Sequence, residues 1–334
     1  MTPVDPLPGL PHPGAARIAA PGTGPQPGPS HTPDPAGSQA PDPLTAAAAP
    51  TVRLTLPRPA PAAPDGQGTG PLYVVGDVHG HLDELLAELR AHGLVDAAGH
   101  WAAGNARLWF LGDFTDRGPD GVGVIDLVMG LAAEAAAAGG YARALMGNHE
   151  VLLLGAHRFG DTPINSASGT TSFLACWRLN GGRPSDMERL ADHHVTWLSR
   201  LPAAAVADDH LLVHSDATTY LEYGDSVDAV NDTVHQLLAT PDPDRWWDHF
   251  RRLTKRFAFR GPDGVQAVHR LLDAYGGRRL VHGHSPIPHL AELIGPDGEE
   301  IPEITAPYVY ADGLVIAMDA GVTINGRLLV HRLT

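Results

Sequence analysis

Three short strings hold most of the side chains in this sequence that are suited to metal and phosphate chemistry. They are Gly76-Asp77-Val78-His79-Gly80, Gly112-Asp113-Phe114-Thr115-Asp116-Arg117-Gly118 and Gly147-Asn148-His149-Glu150. Carboxylates, imidazoles and an amide oxygen are ligands for a divalent cation, and a guanidinium matches the oxygens of a phosphate. Asp77 and Asp113 are 36 residues apart, and Asp113 and Asn148 are 35 apart. That is about the length of a strand–helix–strand unit. Each string directly follows an apolar run: Leu72-Tyr73-Val74-Val75, Leu108-Trp109-Phe110-Leu111 and Ala144-Leu145-Met146. Parallel strands joined by crossover helices bring their carboxyl ends to one edge of a sheet, so the strings are expected to meet in one crevice. Alone, an Asp after a strand is usually a helix cap, and a strand-end His is usually a surface residue. The ordered set points to metal.

The elements that position these strings follow from periodicity. Leu82, Leu85, Leu86 and Leu89 predict a helix over 82–92 that stops at Gly93. A strand is expected near 107–111, a helix over 121–138 and a strand over 142–146. Residues 150–202 read as mostly helical, broken by the polar stretch from Gly160 to Thr171. Leu211-Leu212-Val213 reads as a strand entering His214, and Leu280-Val281 as another entering His282-Gly283-His284. Val315-Ile316-Ala317-Met318 leads to Asp319, and Leu328-Leu329-Val330 is expected to close the chain as an edge strand. Helices precede the later strands less regularly than the first three, which favours a mixed two-sheet α/β sandwich over one doubly wound sheet.

Composition changes near residue 70. Residues 1–70 hold 18 of the 31 prolines and only seven charged side chains. They lack the apolar periodicity needed to form a core, so a disordered Pro/Gly/Ala-rich tail is expected there, with one catalytic domain over 71–334. The net charge of −15 disfavours nucleic acid and anionic membrane as partners. The single cysteine, Cys176, excludes an intrachain disulfide and lies in no Cys-x5-Arg phosphate loop. No basic segment followed by an apolar run opens the chain, so the cytoplasm is the expected compartment.

The order Gly-Asp-x-His-Gly, Gly-Asp-x-x-Asp-Arg-Gly, Gly-Asn-His-Glu resembles the calcineurin-like metallophosphoesterases, in the branch that contains the Ser/Thr protein phosphatases. The segments Tyr73–His81 and Leu145–Val151 are most similar to the bacterial-type Shewanella-like phosphatases. The resemblance covers roughly residues 71–334. It implies a four-layer α/β sandwich with two mixed sheets flanked by helices and a dinuclear centre holding manganese, with iron or zinc as alternatives. It places Asp77, His79 and Asp113 on one cation and Asp113, Asn148, His214 and His284 on the other. His284 is selected over His282 because Gly283-His284-Ser285-Pro286 is similar to the family's Gly-His-Thr-Pro segment. After His214 the family usually has Gly or Ala, whereas Ser215-Asp216 stands here and brings an extra carboxylate.

The implied activity is hydrolysis of phosphomonoesters by in-line attack of a metal-bridging hydroxide, with a phosphorylated protein or small phosphoester as substrate. The alternative is a nucleotide hydrolase of the symmetrical diadenosine tetraphosphatase type. For that substrate, Trp246-Trp247 and Phe257 are the candidate stacking groups. His149, next to Asn148, is the expected acid for the leaving alkoxide, with Asp116 orienting it and Glu150 anchoring the site from behind. Arg117 is the expected phosphate clamp. Arg260, in Phe257-Ala258-Phe259-Arg260-Gly261, is a second candidate for that role by similarity to an aromatic-x-Arg-Gly segment of the branch.

Overall fold

The computed structural model describes residues 69–334 apart from 167–168, 294–301 and 326. All but the last two residues of the proline-rich segment therefore lie outside the described residues. The first half of the chain forms β1 (Leu72–Val75), α1 (Leu82–Ala91), β2 (Arg107–Phe110), α2 (Gly121–Ala137), β3 (Tyr141–Ala144) and α3 (Asn148–Phe159). The hairpin pair β4 (Ile164–Ser166) and β5 (Gly169–Thr171) follows, then α4 (Phe173–Leu179), α5 (Pro184–Arg189) and α6 (Asp192–Leu198). The second half has β6 (Ala204–Ala207), β7 (His210–Val213), α7 (Val227–Ala239), α8 (Pro243–Leu253), α9 (Gly264–Tyr275) and β8 (Arg279–His282). It ends with α10 (Ile287–Leu290), β9 (Tyr308–Tyr310), β10 (Val315–Ala317), α11 (Val322–Asn325) and β11 (Val330–Leu333).

Two mixed sheets result. One has four strands in the order β11-β1-β2-β3, parallel except for β11, and the other has five in the order β6-β7-β8-β10-β9, with antiparallel strands at both edges. Because side chains alternate across a strand, each apolar run serves two cores. Val74, Trp109, Leu111, Leu212, Val281 and Ile316 fill the layer between the sheets. Val75, Leu108, Phe110, Leu211, Val213 and Leu280 face the helices outside. The architecture is the expected helix–sheet–sheet–helix sandwich.

Two expectations are corrected. The closing strand begins at Val330 and not at Leu328, although it does lie at a sheet edge, pairing Leu72 with Leu333 and Val75 with Val330. Three amphipathic helices (α7 to α9) fill the interval between β7 and β8, where no element was predicted. They put Trp246 and Trp247 in the core, which withdraws both tryptophans from stacking on a ligand.

Candidate metal centre and active site

The loops that leave β1, β2, β3, β7 and β8 converge, and they are bent in an unusual way. Among the described residues ten non-glycine residues have positive φ, and five of them are predicted site residues: His79, Asp113, Asp116, Arg117 and His284. Such conformations cost about 1–3 kcal/mol each and persist only where the surroundings over-determine them. Gly112, at φ +104°, precedes Asp113, where a Cβ would sit 2.7 Å from the Gly147 nitrogen and 2.9 Å from His214 Nδ1. Only glycine lets the second string pass between the third string and that histidine.

All six predicted metal ligands meet and are buried. Ligand atoms of His79, Asp113 and His149 lie within 4.8 Å of one another, as do those of Asp113, His214 and His284. His79 Nε2 is 4.0 Å from Asp77 Oδ2, and His214 Nε2 is 3.0 Å from Asn148 Oδ1. Asp113 lies between the two groups, with Oδ2 3.7 Å from His79 Nε2 and Oδ1 3.4 Å from His214 Nε2.

The hydrogen bonds fit a cation centre. His79 donates Nδ1–H to the Thr115 carbonyl, and His214 donates Nδ1–H to the Leu111 carbonyl, at 3.0 and 2.8 Å. Each neutral ring therefore turns its Nε2 lone pair inward, the arrangement that orients metal-ligating imidazoles. The His214 lone pair then faces the oxygens of Asn148 and Asp113, an acceptor-to-acceptor contact that a cation between them would resolve. The buried His284 ring has the Thr254 backbone beside one nitrogen and no hydrogen-bond partner for the other, and buried polar atoms are seldom left so. Asp77 accepts the His284 backbone N–H on both oxygens, at 2.9 and 3.0 Å. The donor set of carboxylates, imidazoles and one amide oxygen suits divalent first-row metals.

Electrostatics point the same way. Burial, then Asp319 and Asp113, push the Asp77 carboxyl well above the usual range. Burial lowers His79, His214 and His284, keeping the rings neutral, as ligands must be. Burial raises Asp319 to about 6. This carboxylate also follows an apolar strand, and that was the only mark of it in the sequence. Glu150, pushed by burial to about 8, accepts the backbone N–H groups of Asp113, Phe114 and Gly147 at 2.8–2.9 Å. It ties the second string to the third.

Beside the predicted ligands, His149 Nδ1 is 2.6 Å from Asp116 Oδ2. Arg117 reaches His79 Nε2 with one guanidinium nitrogen at 2.8 Å and His149 Nε2 with the other at 3.0 Å. Arg260 is elsewhere. It pairs with Glu292, stands over the Phe257 ring and lines a cavity of about 380 Å³ with Phe259, Tyr308 and Tyr310. The charge of Arg256, which no sequence motif singled out, also acts on His284, His214 and Asp319. The lone thiol of Cys176 is raised by burial to about 11 and stays protonated at neutral pH.

Two facing mixed sheets with buried carboxylates and imidazoles at their converging strand ends define an α/β sandwich built around a cation site. The calcineurin-like phosphoesterase family model matches residues 70–288, well over half of the chain, and the chain belongs to that family. It is 32% identical over 81 residues to Shewanella-like protein phosphatase 2 of Arabidopsis thaliana, covering 24% of this chain and 21% of that one. It is 31% identical over 148 residues to a symmetrical bis(5'-nucleosyl)-tetraphosphatase of Hamiltonella defensa, covering 44% of each. The chain thus spans less than half the length of either relative. The same fold is found in the cold-active protein-tyrosine phosphatase of a psychrophilic Shewanella species, with a TM-score of 0.55, 20% identity, and 79% of this chain and 75% of that chain covered. Among the described residues no helix is long and apolar enough to cross a membrane.

Proposed function

We propose that this chain is a metal-dependent phosphomonoesterase of the protein-phosphatase type, removing phosphate from phosphorylated protein. The observation that carries the reading is the buried His149–Asp116 pair, whose imidazole lies within 4.8 Å of His79 and Asp113 beside a second group of Asp113, His214 and His284. Two divalent cations, manganese first and iron or zinc as alternatives, would supply electrophilic activation of the phosphoryl group and of water at neutral pH. Asp77, His79 and Asp113 would hold one, and Asp113, Asn148, His214 and His284 the other.

The remaining steps belong to the protein's own side chains. Asp116 fixes the His149 ring with its Nδ1–H toward the carboxylate, so Nε2 is the atom that delivers a proton to the leaving alkoxide. Arg117, whose fork already spans His79 and His149, turns that fork onto two phosphoryl oxygens when the ester enters. Arg256 adds a second positive charge from the His284 side. This chemistry resides in 71–334, so removing residues 1–70 should leave turnover unchanged.

A second reading, dinucleotide hydrolysis, is favoured by the likeness to the tetraphosphatase and by the cavity of Tyr308, Tyr310, Phe259 and Arg260, where a base would find aromatic faces. Purified protein, with manganese and again after treatment with a chelator, should be assayed on p-nitrophenyl phosphate, phosphoserine and phosphotyrosine peptides, and diadenosine tetraphosphate. The proposal expects manganese-dependent release of phosphate from phosphopeptides. Faster turnover of diadenosine tetraphosphate than of any peptide would replace it with the second reading, and turnover that survives the chelator would remove the metal.

A further inference from the structure

Asp116 has two carboxylate oxygens, and the pair with His149 uses only one. The other accepts the indole N–H of Trp177 at 2.7 Å, and both partners are completely enclosed. Trp177 lies on α4, well outside the three strings, and neither spacing nor composition gives it a role beyond core packing.

The surroundings are arranged to keep that indole in place. Ser172 caps α4 by accepting the Ala175 N–H at 3.1 Å. Just beyond the helix, Gly182 lies against the indole so closely that a Cβ there would come within 2.3 Å of the ring. The same turn holds the catalytic loop from its far side. The Arg117 N–H donates to the Gly181 carbonyl at 2.8 Å, and Arg183 Nε donates to the Gly118 carbonyl at 3.0 Å. Asp116 and Arg117 both have positive φ, so the segment 177–183 braces the part of the loop that is least able to hold its own conformation.

We infer that Trp177 is a positioning residue for catalysis: its indole N–H fixes the Asp116 carboxylate, and through it the ring of the proton donor His149. Resting on the phosphatase reading, the inference names what aligns its acid. A carboxylate held at both oxygens cannot rotate, so the Nδ1–H of His149 has one acceptor in one direction. Deleting the indole donor leaves a buried carboxylate oxygen unpaired and frees the carboxylate to swing about its Cβ–Cγ bond.

The test compares Trp177→Phe, which keeps an aromatic ring and loses the N–H, with Phe173→Leu, which loosens the same helix and keeps the N–H. Trp177→Phe is expected to lower kcat about tenfold on an alkyl phosphate, whose leaving group needs a proton, and less than about twofold on p-nitrophenyl phosphate, with metal content unchanged. Phe173→Leu is expected to lower the melting temperature without that split. Equal losses on both esters for Trp177→Phe, or the same split in Phe173→Leu, would overturn the inference.

A second readout does not depend on turnover. In zinc-loaded protein the His149 Nδ1 proton, identified by its loss in His149→Gln, should resonate far downfield. It should move upfield and exchange faster in Trp177→Phe. An unmoved proton would overturn the inference even in a protein that hydrolyses neither ester, an outcome that would separately refute the phosphatase reading. Should Trp177→Phe not fold, Asp116→Asn must shift one buried indole proton, and the inference fails if none moves.

Discussion

At the scale of single residues, Asp113 and His149 divide the work. Asp113 lies between two groups of imidazoles, with Oδ2 3.7 Å from His79 Nε2 and Oδ1 3.4 Å from His214 Nε2, which makes it the natural carboxylate for two cations to share. His149 keeps its ring outside the proposed ligand set. Its backbone N–H donates to Asp113 Oδ1 at 3.0 Å, and its side chain turns to Asp116. His149→Ala should therefore leave both cations bound while removing the proton donor. Turnover of an alkyl phosphate is expected to fall roughly 10²–10⁴-fold and that of p-nitrophenyl phosphate much less. Metal content and kcat on both esters check this, and loss of a cation would recast His149 as a ligand.

At the scale of elements, the site is built from loops that other loops hold in place. Asp216 shows how. Its carboxylate accepts the Phe257 N–H at 2.7 Å and the Ser285 hydroxyl at 2.5 Å, and its carbonyl accepts the Ala258 N–H at 3.0 Å. One buried side chain thereby joins the His214 loop, the loop carrying Arg256 and the His284 loop. The departure from the family pattern noted after His214 thus supplies the carboxylate that ties these loops together. Asp216→Ala leaves the buried Ser285 hydroxyl and the part-buried Phe257 N–H without an acceptor and should cost about 2–4 kcal/mol in denaturant unfolding. KM should rise more than kcat falls, as the Arg256 loop loosens. A loss under about 1 kcal/mol would show that the three loops hold without it.

At the scale of the whole molecule, the helical layer outside the second sheet encloses a basic group that must stay neutral. Burial, assisted by the Arg252 charge, pushes His249 down to about 3, and its Nδ1 is 2.7 Å from the Tyr223 hydroxyl. A histidine with a folded pKa below its unfolded value near 6.5 binds more protons when unfolded. Its contribution is complete above pH 6.5 and is lost as pH falls toward 3, at about 1.4 kcal/mol per unit. From pH 6.5 to 4.5 this one group should remove roughly 2–3 kcal/mol of stability. His249→Gln keeps a polar partner for Tyr223 and should flatten that part of the profile. An unchanged slope in urea unfolding at the two pH values would assign the acid sensitivity to other groups.

The convergence of Asp77, His79, Asp113, Asn148, His214 and His284 was legible in the sequence because the requirements are local. An apolar run long enough for one strand, a glycine, then a carboxylate or imidazole is a pattern that short-range geometry dictates, and three of them in order at 35–36 residues leave little choice of topology. The strand pair His214 and His284 was readable for the same reason. The helices α7 to α9 carry an equally local signal, apolar residues at helical spacing such as Val230, Val234, Leu237 and Leu238, and only the sheet they cover is set by distant segments. The burial of Trp246 and Trp247 is a product of that packing. Asp216 and Trp177 depend on contacts across 41 to 69 residues, and nothing in their own neighbourhoods sets them apart from a surface aspartate or a core tryptophan. The sequence by itself determined which atoms can bind metal and on which strand ends they stand, because backbone geometry and residue chemistry settle both. Only the tertiary structure decided that Arg260 pairs with Glu292 and that the Trp177 indole meets the Asp116 carboxylate, because those contacts exist only once separate loops have been brought within hydrogen-bonding distance.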